Sequence, residues 1–91
     1  MICVECTLPR KKQGFFTIPE EKMDDFPNKT TLVKLIYCEK PYEVRFYVAE
    51  THHGFSRLTK LFKDNEELYS TVTIRVCVIE KDKKYRLEIV K

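Results

Sequence analysis

Apolar and polar residues alternate with period two in five stretches of this chain, the pattern of strands with one buried face. Ile2, Val4, Cys6 and Leu8 alternate with Cys3, Glu5 and Thr7. Thr31, Val33, Leu35 and Tyr37 alternate with Leu32, Lys34 and Ile36, which leaves both faces largely apolar and predicts a central strand. Val44, Phe46 and Val48 alternate with Arg45 and Tyr47. Val72, Ile74, Val76 and Val78 alternate with Thr71, Thr73, Arg75 and Cys77. Tyr85, Leu87 and Ile89 alternate with Arg86 and Glu88, joined to the preceding stretch by the charged turn 80–84. A shorter strand is expected from Phe15 to Ile18.

Two short helices are expected between these strands. Pro19 suits a first helical turn, and Glu20, Glu21 and Asp24 favour a helix N-terminus. Met23 and Phe26 would face the core before Pro27 ends that helix. In the second, Leu58, Leu61 and Phe62 follow helical spacing and Asn65 is the terminator.

The two halves echo each other. Gly14 and Gly54, the only glycines, stand forty residues apart, and each precedes a phenylalanine, Phe15 or Phe55. The same shift lays Val4, Cys6 and Leu8 on Val44, Phe46 and Val48. Each half then reads strand, polar loop, Gly-Phe, short strand, helix, strand. The fold expected over residues 1–91 is one mainly β domain with two short helices: a seven-stranded open or pseudo-β-barrel built from two similar halves. Closure of such a sheet removes exposed edges. It also places loops 9–13 and 50–53 in related positions, and both are expected to emerge on one side.

Composition narrows the class. Charged residues form 34% of the chain and hydrophobic residues 43%, as in a globular, ordered domain. No apolar run reaches the roughly 20 residues that span a bilayer, and no secretion signal is expected at Met1–Cys6. Cys3, Cys6, Cys38 and Cys77 all fall in strand-like runs, so reduced, mostly buried thiols are expected, in a cytoplasmic or nuclear setting. The net charge of +3 is mild, but Arg10-Lys11-Lys12 is a basic cluster with acids gathered elsewhere.

Phe16-Thr17-Ile18-Pro19, a short helix, and Phe26-Pro27 resemble the "IP…FP" segment of DNA-binding pseudobarrel domains. That family includes the plant transcription-factor domains of the B-three type and the recognition domains of some restriction endonucleases. The second half is similar: Tyr42 to Phe46, Gly54 to Leu58, Leu61 to Asn65, then a strand from Thr71. The resemblance implies duplex DNA binding by two arms that enter the major groove like the jaws of a wrench. It implies either a small transcription regulator or the recognition module of an enzyme whose nuclease domain lies elsewhere.

The candidate DNA-binding residues are Arg10, Lys11, Lys12 and Gln13 in the first arm, and Thr51, His52, His53, Ser56, Arg57 and Lys60 in and beside the second. Arginine can pair bidentately with guanine and glutamine with adenine, while lysines neutralise phosphates. Histidine offers one donor and one acceptor and gains charge as pH falls. No metal site is expected: Cys3 and Cys6 would point to opposite faces of a strand. No catalytic set, and no cofactor, is expected either. Asp82-Lys83-Lys84 fits a nuclease-like Asp-x-Lys pattern only inside a lysine-rich turn. The competing reading is a protein-interaction domain on the same barrel without DNA. Tyr47 and Tyr69 are the tyrosines placed to stack on single-stranded bases.

Overall fold

The computed structural model describes residues 2–9, 14–19 and 24–90. Seven strands form one sheet: β1 (Cys3–Thr7), β2 (Phe16–Ile18), β3 (Thr31–Tyr37), β4 (Lys40–Val48), β5 (His53–Ser56), β6 (Thr73–Glu80) and β7 (Lys84–Ile89). One short helix, α1 (Thr59–Asp64), and a 3-10 turn (Glu66–Ser70) connect β5 to β6. Asn65 closes α1, its side-chain amide donating to the Leu61 carbonyl at 2.8 Å. The first expected helix falls largely on 20–23, outside the described residues.

The strand order is β1-β6-β7-β3-β4-β5-β2, so β3, apolar on both faces, is central. Every pairing is antiparallel except β3 with β7. The outermost strands, β1 and β2, approach each other and nearly close the barrel. The two halves hold matching places in this ring. β1 lies on β6 as β4 lies on β3, β1 approaches β2 as β4 pairs with β5, and β7 fills the gap between β3 and β6.

The alternation translates directly into burial. Val4, Cys6, Leu8, Val33, Leu35, Val44, Phe46, Ile74, Val76, Tyr85 and Leu87 all face one core. Its centre is aromatic: Phe26 stacks on Tyr85 and Phe46, with centroids 5.1 and 5.6 Å away. Phe55 meets Phe46 and Tyr85 edge-on. Such contacts add about 0.5–1.5 kcal/mol each beyond area burial.

Four expectations are corrected. The glycine echo is not structural: Gly14 lies before β2 in a left-handed turn, whereas Gly54 lies inside β5. Phe15 is therefore exposed while Phe55 is fully buried, and the two are not equivalent. Cys3 and Cys77 are joined in a disulfide instead of being reduced thiols. They are direct cross-strand partners on the outer face of β1 and β6. Cys38 is an exposed thiol in the β3–β4 turn, not a strand residue. Val72 precedes β6 and is 65% exposed, so the inward run starts at Ile74.

Candidate nucleic-acid interface

The two candidate loops are tied together by one short ladder. β2 pairs with β5 through Phe16↔Phe55, Thr17↔Gly54 and Ile18↔His53. The strands approach so closely at Gly54 that a Cβ there would overlap the Phe16 carbonyl oxygen. Because the pairing is antiparallel, the loops reach the ladder at opposite ends. The first loop enters β2 through Gly14, whose carbonyl accepts the Leu58 N–H at 2.9 Å, just past the end of β5. The second enters β5 at His53, and its turn is closed by the Ala49 N–H on the His52 carbonyl at 2.9 Å. Gly14 lies four residues before Ile18, the register partner of His53, so the loop roots are separated along the ladder by roughly 13 Å at about 3.3 Å per residue. Adjacent prongs on one end are therefore replaced by roots that bracket a shared ladder.

Arg10, Lys11, Lys12 and Gln13 lie outside the described residues. Thr51 and His52 are exposed at the tip of the second loop, with Thr51 Oγ1 3.1 Å from His52 Nδ1. The His52 ring meets Tyr47 edge-on at 5.5 Å. His53 is half-buried, and its Nδ1 has no hydrogen-bond partner among the described residues. It lines a cleft of about 410 Å³ with Asp24, Asn28, Lys81 and Asp82. Ser56 is committed to the sheet: its Oγ accepts from Arg45 Nε at 3.1 Å and donates to the Arg45 carbonyl at 3.2 Å.

Arg57 is exposed with φ 62°, the left-handed conformation that turns the chain sharply from β5 into α1. It and the exposed Lys60 border a shallow groove of about 260 Å³ with Lys40, Tyr42 and Glu43. Neither Arg57 nor Lys60 forms an ion pair with a described residue, so their charge is not neutralised there. Lys40 differs: it pairs with Asp64 at 3.4 Å and sits over the Tyr42 ring.

The outer face between the loop roots adds residues that sequence reasoning missed. Thr17, Arg45 and Ser56 occupy outward positions of β2, β4 and β5, beside Tyr47. Arg45 looked like an ordinary polar position in an alternating strand, and only the β4–β5 register brings it to the loops. Tyr47 is half-buried over Gly54's position in the register, and burial raises its pKa. Tyr69 is exposed on the 3-10 turn, at 6.1 Å from the Phe62 ring and on a different element. The acids gathered in 64–67 are partly spent on tyrosines: Tyr42 donates to Asp64 at 3.4 Å and Tyr37 to Glu67 at 2.9 Å.

Among the described residues, no three His, Cys, Asp or Glu side chains cluster to hold a metal ion, and no helix is long and apolar enough to cross a membrane. Compared with protein-family models, curated proteins and solved structures, the chain matches none of them.

Proposed function

We propose that this domain binds double-stranded DNA and reads its sequence, with one polar loop on each side of the β2–β5 ladder. The observation that carries this reading is the bracketing of a single ladder by the two loop roots, roughly 13 Å apart. That spacing suits two side-chain clusters sharing a major groove about 12 Å wide. Arg57 and Lys60, free of described ion pairs, supply phosphate contacts at one end of the ladder. The basic residues Arg10, Lys11 and Lys12 precede Gly14, which is bonded to Leu58 at that same end. At the other end, Thr51 and His52 present donors and acceptors suited to base edges or phosphate oxygens.

Alanine substitution in each loop tests the reading against a random duplex and against duplexes selected from a random library. Arg57→Ala with Lys60→Ala is expected to weaken binding to all duplexes alike, as phosphate contacts do. Thr51→Ala with His52→Ala is expected to weaken the selected duplexes more than the random one. Lys34→Ala, on the exposed side of β3 and away from both loops, is expected to change neither. Equal effects from all three variants would favour non-specific charge attraction, and retained binding in both loop variants would turn the reading toward a protein partner.

A further inference from the structure

The disulfide sits where it can act on the proposed site without belonging to it. Cys3 and Cys77 face each other at a non-hydrogen-bonded position of the β1–β6 ladder, since the neighbouring pair is bonded through the Val78 N–H and the Ile2 carbonyl at 2.8 Å. Their Cα atoms are 4.0 Å apart. At such positions side chains lie closest, which brings the two sulfurs within bonding reach. The bond closes a loop across a sequence separation of 74 residues, almost the whole chain. β1 is an end strand, paired along one side by β6 and only approached by β2 on the other. Its inward side chains Val4 and Cys6, and Leu8 just beyond it, are buried in the core.

The geometry points to a thiol-reversible clasp. The Cys3–Cys77 bond holds β1 firmly on β6, and its reduction loosens β1, which approaches β2 of the β2–β5 ladder. This inference rests on the DNA-binding reading for its functional consequence, not for its structural one. The two residues differ in exposure: Cys3 is exposed, Cys77 is 2% exposed. A dithiol reductant therefore attacks Cys3 Sγ through its thiolate. The S–S bond breaks, Cys77 leaves with the electron pair, and it takes up a proton to become a thiol. Glu88 Oε1, 3.8 Å from Cys77 Sγ, accepts the hydrogen bond of that thiol. The second thiol of the reductant then attacks the reductant's own sulfur in the mixed disulfide and releases Cys3. The reductant becomes a cyclic disulfide and the protein gains two thiols, so electrons and protons balance.

The test uses the full chain with Cys38→Ser, which removes the exposed thiol in the β3–β4 turn and prevents cross-linking between molecules. Amide exchange and duplex affinity are measured before and after treatment with dithiothreitol. The amides of β1 are expected to exchange at least about tenfold faster after reduction, while those of β3 and β4 keep their protection. Affinity for the duplex is expected to fall at least about threefold, as the binding-competent fraction falls. Cys3→Ser with Cys77→Ala is expected to match the reduced state and to ignore the reductant; if that variant fails to fold, the reduced protein still decides. Unchanged β1 protection overturns the clasp, as does global unfolding on reduction, which would make the bond a structural staple. Faster β1 exchange with unchanged affinity overturns its link to binding. Absence of duplex binding in both states defeats the DNA reading and leaves the clasp to be judged by exchange alone.

Discussion

Replacing Gly54 with alanine attacks the ladder that joins the two proposed arms. A Cβ at this position would overlap the Phe16 carbonyl oxygen and stand 2.8 Å from Thr17 Cα, both backbone atoms that cannot swing away. The strands must part, and the β2–β5 ladder has only three register pairs to absorb the movement. Loss of about two ladder hydrogen bonds removes on the order of 2 kcal/mol. Loosening the Phe16–Phe55 contact, now at 5.3 Å, removes about 1 kcal/mol more. Reduced freedom of the unfolded chain returns about 0.5 kcal/mol. The expected net destabilisation is therefore about 2–3 kcal/mol, or roughly 10–15 °C in Tm for a domain of this length. Thermal and urea denaturation of the full chain measure it. Gly14→Ala is the comparison: its φ of +82° is strained for alanine, but the nearest obstacle is the Thr59 hydroxyl, a side-chain atom that can rotate. It is expected to lose about 1 kcal/mol. A Gly54→Ala loss below about 0.5 kcal/mol, or a loss smaller than that of Gly14→Ala, would refute the close approach on which the ladder argument rests.

Three further outcomes follow from the same structure. The β3–β4 turn places Cys38 at φ 50° and Glu39 at φ 65°, so Cys38→Asn with Glu39→Gly is expected to raise stability by about 1 kcal/mol in urea titrations. Burial pushes the Cys6 thiol up to about 11, so under native, non-reducing conditions a thiol reagent should label Cys38 quickly and Cys6 slowly, with the disulfide-bonded pair unlabelled until a reductant is added. The Tyr85 hydroxyl, pushed up to about 12 chiefly by burial, donates to the Asp25 carbonyl at 3.3 Å and accepts the Asp82 N–H at 3.0 Å. A raised phenol favours the neutral, folded form, so its contribution is complete below the ordinary value of 10.0 and is lost as pH climbs toward 12. Stability measured across that window should fall less steeply in Tyr85→Phe than in the parent chain.

The parts of this fold that were legible are those set by local alternation. Val33, Leu35 and Tyr37 declared an inward face, and the apolar Leu32 and Ile36 on the opposite face marked β3 as central. What stayed hidden depends on register between distant strands. Nothing near Cys3 announces Cys77, because their meeting is fixed by the β1–β6 pairing across nearly the whole chain. The forty-residue shift aligned Phe15 with Phe55 as equivalent positions, but Phe15 is exposed before β2 whereas Phe55 is buried inside β5, because Gly14 turns the chain ahead of its strand and Gly54 lies within its own. The turn at Cys38 is silent in the sequence because Tyr37-Cys38-Glu39-Lys40 carries no glycine, asparagine or proline to signal a hairpin. At the candidate site, Arg57 and Lys60 were visible as charges beside a predicted helix, whereas Arg45 joins them only through the β4–β5 pairing.

The central claim is electrostatic grip on a duplex by both loops, and a salt titration tests it most directly. Binding of a labelled duplex is followed by fluorescence anisotropy from low to moderate salt. The account expects log affinity to fall linearly with log salt concentration, with a slope that drops by about one for each basic loop residue replaced by alanine. Absence of binding at the lowest salt, or an affinity indifferent to salt, would contradict it.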